Sequence, residues 1–309
     1  MSSKKTILIT GSNGLLGQKL IQALSQRTDI TTIATSKGEN RMRNKAGYVY
    51  EALDITRKEE LEKIFVRHKP DVVIHTAALT NVDACESNKE ECLALNVDAV
   101  RYIVQVMEQN LPASHLIHLS TDFIFDGLAG PYKEEDKPNP LSYYAWSKLE
   151  SEKIVEASKL KWAIARTIIV YGLVDNMSRS NLVLWAKDAL GKGQKINVVD
   201  DQFRAPTLSE DLAAGCIAIA DKCATGIYNL SGPETFSVLD LVYQVADFWK
   251  LDRNLINPIK SDTLNQAAKR PARTGFILDK ARKDLGYKPH TFIEGLAVVD
   301  KELKTALVS

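Results

Sequence analysis

The sequence has few cysteines, and they carry no metal-binding spacing. Cys85, Cys92, Cys216 and Cys223 form no C-x-x-C and no Cys/His pattern, so no metal ligand set is expected and reduced, structural thiols are the default. An excess of one charge is also absent. Lys and Arg total 40 against 39 Asp and Glu, a formal net charge of +1. That balance removes any general electrostatic case for nucleic acid or a membrane surface as partner and leaves small molecules. No apolar run approaches membrane-spanning length, and the run after Lys4 and Lys5 breaks at Gly11, too early for a cleavable signal. A cytoplasmic location is expected. Repeats, low-complexity tracts and coiled-coil heptads are missing too. What remains is 309 residues of ordinary globular composition, a length that suits about two domains.

The most informative stretch runs from Thr6 to Gly17. Ile7, Leu8 and Ile9 form an apolar run without alternation, as a strand covered on both faces would. The run stops at Gly11, Asn13 and Gly14 and resumes through Leu15, Leu16 and Gly17 as an amphipathic helix. Glycines at 11, 14 and 17 leave room for a pyrophosphate, and the helix start offers free N–H groups and a favourable dipole. The spacing has one residue more between the first two glycines than G-x-G-x-x-G. Strand, glycine turn and helix together indicate a dinucleotide site.

A second strand is expected over 30–34. An NAD site places a carboxylate about 20 residues beyond the glycines. Here Thr35, Ser36 and Lys37 stand in that place, followed by Arg41 and Arg43, with Glu39 nearby. Small and basic residues suit a phosphate, which favours NADP over NAD. A third strand over 48–53 ends in Asp54 and Ile55, where a carboxylate is a candidate for the adenine amino group or, equally, for capping the helix over 57–67. The strand over 71–76 leads into Ala77, Ala78 and Thr80, small enough to admit a cofactor. A helix over 89–110 contains Asn96, which needs a partner if buried. A fifth strand over 115–120 delivers Thr121, Asp122 and Phe123 to the same edge. His118 within it reads as a core residue, having no second ligand at metal spacing.

Tyr144 and Lys148 follow, four apart in a stretch, 141–148, that enters a helix expected to run to about 160, so phenol and ammonium share a face. A free phenol, with a pKa of about 10, is a poor acid–base group at neutrality, and an adjacent positive charge would lower it. Thr121 could orient a substrate carbonyl beside it. Taken together, the glycine triplet, Asn96, Ser120-Thr121 and Tyr144/Lys148 resemble the extended short-chain dehydrogenase/reductases over nearly the whole chain. Within that family, Ala77 to Asp83, Ser120 to Gly127, Arg166-Thr167 before Val170-Tyr171-Gly172, Asp201-Gln202 through Pro206-Thr207, and Lys269-Arg270-Pro271 resemble the dTDP-4-dehydrorhamnose reductases. The resemblance implies a Rossmann-type doubly wound parallel sheet with a smaller mixed α/β substrate lobe. It also implies reduction of a 4-keto nucleotide sugar by NAD(P)H, with Tyr144 as general acid, Lys148 tuning it and binding the nicotinamide ribose, and Thr121 holding the keto oxygen. Phe123 and Ile169 depart from the family, which often has tyrosine and tryptophan there.

After a sixth strand over 162–171, alternation breaks down near Gly172. Residues 1–172 are expected to form the dinucleotide domain, with 205–232 returning to it through an amphipathic helix and a closing strand. The rest of 173–309, with helices over 179–191, after Ser237 and after Asp279, would form the lobe. Arg204 and Arg273 are candidates for the nucleotide phosphates, or else surface ion-pair residues. A nucleotide-sugar epimerase or dehydratase of the same fold, and a non-catalytic dinucleotide-binding regulatory subunit, remain as alternatives; a homodimer is compatible with all three.

Overall fold

The structure, a computed structural model, describes residues 4–177 and 180–306. Its centre is a seven-stranded parallel sheet. In chain order the first elements are β1 (Lys5–Thr10), α1 (Leu15–Leu24), β2 (Ile30–Ser36), β3 (Val49–Ala52), α2 (Lys58–His68), β4 (Val72–His75), α3 (Val82–Ser87) and α4 (Lys89–Leu93). They are followed by α5 (Ala99–Asn110), β5 (His115–Thr121), α6 (Tyr143–Glu156) and β6 (Lys161–Thr167). Spatially the strands run β6, β5, β4, β1, β2, β3, and the strand Gly226–Asn229 pairs parallel with the outer edge of β6. This is the Rossmann-type doubly wound sheet. The order reverses between β1 and β4, and the crevice at such a switch point, beyond the carboxyl ends of the strands, is where open α/β sheets bind ligands.

The two faces are built by alternation along β1. Ile7 and Ile9 join Leu20, Leu24, Ile74 and Ile117 on one face, while Leu8 joins Ile33, Leu61, Phe65, Val73 and Ile103 on the other. Helix α1 covers the first face with α8 (Ser209–Lys222), which follows α7 (Leu182–Gly191) in the chain. Helices α2, α5 and α6 cover the second. A separate cluster holds the lobe together: Val183 and Leu190 of α7, Leu241 and Val245 of α9 (Val238–Phe248), and Leu296 and Val299 of α11 (Phe292–Ala306). A parallel strand pair, Ile196–Val199 with Ile256–Ile259, borders it.

Several local expectations differ from the structure. The strand anticipated over 162–171 ends at Thr167; Val170–Tyr171 pairs instead with Thr207–Leu208, because the Thr207 hydroxyl and amide bond the Ile168 and Ile169 carbonyls at 2.6 and 3.2 Å. The helix anticipated over 89–110 is interrupted by a π turn over Ala94–Asp98. The helix start anticipated at Arg179 lies outside the described residues, and α7 is described from Leu182. The segment from Phe276 to Tyr287, with α10 (Asp279–Leu285), was expected in the lobe. It buries Phe276, Leu278, Ala281, Leu285 and Tyr287 against the sheet-side core.

Candidate active site

The turn after β1 is set by two glycines and opened by the third. Gly11 has a φ of +69°, and a Cβ there would lie 2.7 Å from the Ala77 nitrogen. A Cβ on Gly17 would lie 2.3 Å from the Gly11 carbonyl oxygen. Strand, turn and helix are thus in contact at 11 and 17, while Gly14 is exposed and caps α1. The first-turn amides, including those of Leu15 and Leu16, lack intrahelical acceptors, and a pyrophosphate fits that chemistry. Asn13 is engaged elsewhere. Its amide donates to the Glu39 carbonyl at 2.8 Å, and its side-chain oxygen accepts from the Arg41 N–H at 3.0 Å. Asn13 therefore latches the glycine turn to the segment after β2.

That segment carries the basic residues. Ser36 ends β2, and Lys37 extends into solvent, where its ammonium meets Asp54 at 2.8 Å. Burial would raise the Asp54 carboxyl, but Lys37 and the hydroxyl and amide of Thr56 outweigh it and bring it down to about 2. Asp54 caps the Thr56 turn and not α2, whose N-cap is Arg57. Ile55 is buried in the core beneath. Arg41 is exposed, and Arg43 is drawn to Asp175 through its backbone N–H at 2.9 Å. Across the switch point, Ala77 and Ala78 are half-buried and Thr80 is exposed.

Asn96 sits in the π turn, 1 % exposed, with its polar atoms committed to the protein. Its oxygen accepts from the Leu79 N–H at 2.8 Å, and its amide donates to the Leu79 carbonyl and the Ser147 hydroxyl, both at 3.0 Å. It braces the loop after β4 against α6. A π turn re-aims a helical side chain, and such turns recur at functional sites.

Helix α6 begins at Ser142, whose hydroxyl accepts the Ala145 N–H at 3.3 Å. Its inward face carries Tyr144, Ser147, Lys148, Ser151 and Glu152, all buried. Tyr144 faces the end of β5, close enough to the Thr121 hydroxyl for that group to favour the phenolate. Burial pushes the phenol well above its ordinary value, with Thr121 opposing. Desolvation, not the ammonium of Lys148, therefore dominates the acidity, contrary to the lowering expected from sequence. The ammonium is directed to His118 Nε2 at 3.4 Å, and burial lowers it to about 8. Thr121 also donates to Asp122 at 3.1 Å and accepts the Phe123 N–H at 3.2 Å. Asp122 is buried, raised by desolvation, and bonded by Thr274. The Phe123 ring stands edge-on to Tyr144 with centroids 6.2 Å apart.

The structure sets Tyr144 beside Thr121 at the carboxyl end of β5, with Lys148 one turn further along the same face of α6 and against His118. The two arginines lie on bridged segments but differ in burial. Arg204 is 3 % exposed, donates to the carbonyls of Phe203, Ala272 and Pro271 and to Gln202, and lies over the Phe123 ring at 5.4 Å. Its charge props the wall of the site, a role different from the free phosphate ligand or surface pair expected. Arg273 is exposed over the Phe203 ring at 4.8 Å, with its guanidinium accessible. Sequence reading passed over Ser147, Ser151, Thr274 and the Arg166–Glu152 pair. That pair is bidentate at 2.8 and 3.0 Å, and both side chains are buried. The signal was present at Ser147, Ser151 and Glu152, which repeat the helical phase of Tyr144 and Lys148.

With this geometry in hand, comparison with known proteins places the chain. The family model described as "RmlD substrate binding domain" matches residues 5–305. A dTDP-4-dehydrorhamnose reductase of Aggregatibacter actinomycetemcomitans is 32% identical over 297 residues, covering 92% of this chain and 94% of that protein. Methionine adenosyltransferase 2 subunit beta of Bos taurus is 30% identical over 272 residues, covering 86% of this chain and 78% of that protein. A solved dTDP-4-dehydrorhamnose reductase from Clostridium acetobutylicum superposes with a TM-score of 0.83 at 26% identity, covering 97% of this chain and 99% of that one.

Proposed function

The chain belongs to the RmlD substrate binding domain family, and from that premise we propose that it is an NAD(P)H-dependent reductase of a 4-keto nucleotide sugar, with dTDP-4-dehydrorhamnose as the first substrate to try. The observation that carries this reading is that Tyr144 faces Thr121 at the sheet edge that also holds the glycine turn, with Lys148 buried one turn along the same face of α6. A bound nicotinamide dinucleotide would supply the hydride. Leu15 and Leu16 would receive its pyrophosphate on their amides, and Gly14, whose own amide is held by the Gly11 carbonyl at 2.9 Å, would keep a side chain out of its way. Ser36, Lys37 and Arg41, in the place of a ribose-binding carboxylate, favour NADPH over NADH.

Tyr144 acts in this reading as a general acid. Its raised pKa keeps the phenol protonated at neutral pH, so it has a proton to give as negative charge develops on the carbonyl oxygen. The Thr121 hydroxyl, beside that phenol, positions the oxygen. Lys148 adds a positive charge that favours the phenolate left behind and offers N–H donors to the ribose. Arg273 is an accessible cation for the nucleotide phosphates.

The test is the fall in NADPH absorbance on adding dTDP-4-dehydro-6-deoxy-L-mannose, with NADH run in parallel. Consumption of NADPH supports the reading, and no consumption of either dinucleotide despite binding overturns it. The likeness to methionine adenosyltransferase 2 subunit beta favours one second reading, a dinucleotide-binding partner protein. Stable complex formation with a protein partner, with no keto sugar turned over, would select it.

A further inference from the structure

Two histidines lie side by side under the site and take no part in the proposed chemistry. His75 of β4 and His118 of β5 are register partners, their rings stacked with centroids 5.4 Å apart, and they are 2 % and 0 % exposed. His75 Nδ1 pairs with the Thr10 hydroxyl at 2.7 Å, while His75 Nε2 and His118 Nδ1 have no partner. His118 Nε2 has two neighbours, the Ser151 hydroxyl at 2.9 Å and the Lys148 ammonium at 3.4 Å. Among the described residues, His118 is the hydrogen-bond partner the Lys148 ammonium has, and Lys148 is 4 % exposed.

A buried ammonium without an acceptor is costly. The groups facing it limit the choice. Glu152, one turn along α6, has both oxygens on Arg166 of β6. The Cys92 thiol of α4 donates to Ser147. Tyr144 of α6 faces Thr121 of β5, and the His75 ring of β4 is stacked on His118. That leaves the lone pair of His118. Burial and the neighbouring positive charge hold this ring neutral, so one of its nitrogens is bare. An N–H at Nε2 would donate to Ser151, whose own hydroxyl reaches the Lys148 carbonyl at 2.7 Å, but would set donor against donor at the Lys148 ammonium; a bare Nε2 accepts from the ammonium and, once Ser151 turns its proton from that carbonyl, from Ser151 as well.

We infer that His118 is a positioning residue for Lys148: its Nε2 accepts one N–H of the ammonium from behind and leaves the other two aimed at the carboxyl edge. The inference rests on the proposed reduction only for what Lys148 does in turnover. The hydrogen bond itself is testable without it.

The experiment uses the whole chain labelled with 15N-histidine and 13C-lysine. The wild-type 15N spectrum at neutral pH should show His118 with a bare Nε2 and a protonated Nδ1. The Lys148 13Cε titration, assigned by its loss in Lys148→Met, should fall by about one pH unit in His118→Leu, a tenfold weaker hold on the proton. His118→Gln, which restores an acceptor at that reach, should return the wild-type midpoint. An Nε2-protonated ring in the wild type, or an unchanged midpoint in His118→Leu, overturns the inference. If His118→Leu does not fold, the wild-type tautomer decides. Where a keto sugar is turned over, the alkaline limb of kcat/KM should move with the Lys148 midpoint. A protein that reduces no sugar still answers through the spectra, so failure of the proposed function stays separate from failure of this hydrogen bond.

Discussion

Helices α5 and α6 cover the same face of the sheet and bury opposite kinds of surface. Helix α5 turns Ala99, Val100, Ile103, Val104, Val106 and Met107 inward. Helix α6 turns in Tyr144, Ser147, Lys148, Ser151 and Glu152, with only Ala145 and Val155 as apolar company. The first pattern is what a helix needs to be held on a sheet. The second buries one cation, one anion and several hydroxyls, each of which must find a partner to avoid a desolvation cost. They do: Ser147 with Asn96, Ser151 and Lys148 with His118, Glu152 with Arg166. Breaking the apolar pattern this thoroughly, while satisfying nearly every group, sets α6 apart from α5, as the proposed reduction requires of the helix that carries its acid.

The contrast predicts how each helix fails. The largest effect is expected from Tyr144→Phe, which should lower kcat with the keto sugar by about 10²–10⁴ while dinucleotide affinity, read by fluorescence titration, is retained. Arg166→Leu comes next. It leaves the Glu152 carboxylate buried and unpaired, and denaturant unfolding should show a loss of about 3–5 kcal/mol.

On the α5 side, Ile103→Ala should cost about 2–5 kcal/mol of stability, with kcat per folded molecule unchanged. A drop in kcat there without a drop in stability would erase the distinction between the two helices. The smallest effect is one of pH. Lys148 titrates at about 8 in the native state against an ordinary 10.5, so the rate should fall about tenfold per unit above that point. Between those values the unfolded chain holds a proton that the native chain has released. The contribution of Lys148 to stability therefore rises with pH in the same window in which activity falls. Rate and thermal midpoint recorded together across pH 7–10 check the opposed signs.

Much of the fold was legible because its signals are local. Ile7, Leu8 and Ile9 without alternation, ended by Gly11, specify a strand buried on both faces and the turn after it. The four-residue spacing of Tyr144 and Lys148 is also local, and the helix brings both to one face. Less legible were the breaks. Nothing in the run from Trp162 to Tyr171 announces that it leaves the sheet at Thr167, since the hydroxyl and amide donors that draw the Ile168 and Ile169 carbonyls away belong to Thr207. The π turn at Asn96 is likewise imposed by Leu79 and Ser147, 17 and 51 residues distant in the chain.

The sequence by itself determined the layered parallel sheet, the glycine turn at its switch point, and the phenol and ammonium sharing a helix face, because periodicity and backbone freedom act over a few residues. The tertiary structure alone decided which polar groups are spent and which remain available. Arg204 props a wall while Arg273 stays accessible, Lys37 is paired with Asp54, and Lys148 faces a histidine from another strand. Those choices depend on partners brought in from distant elements, and on the solvent that folding removes.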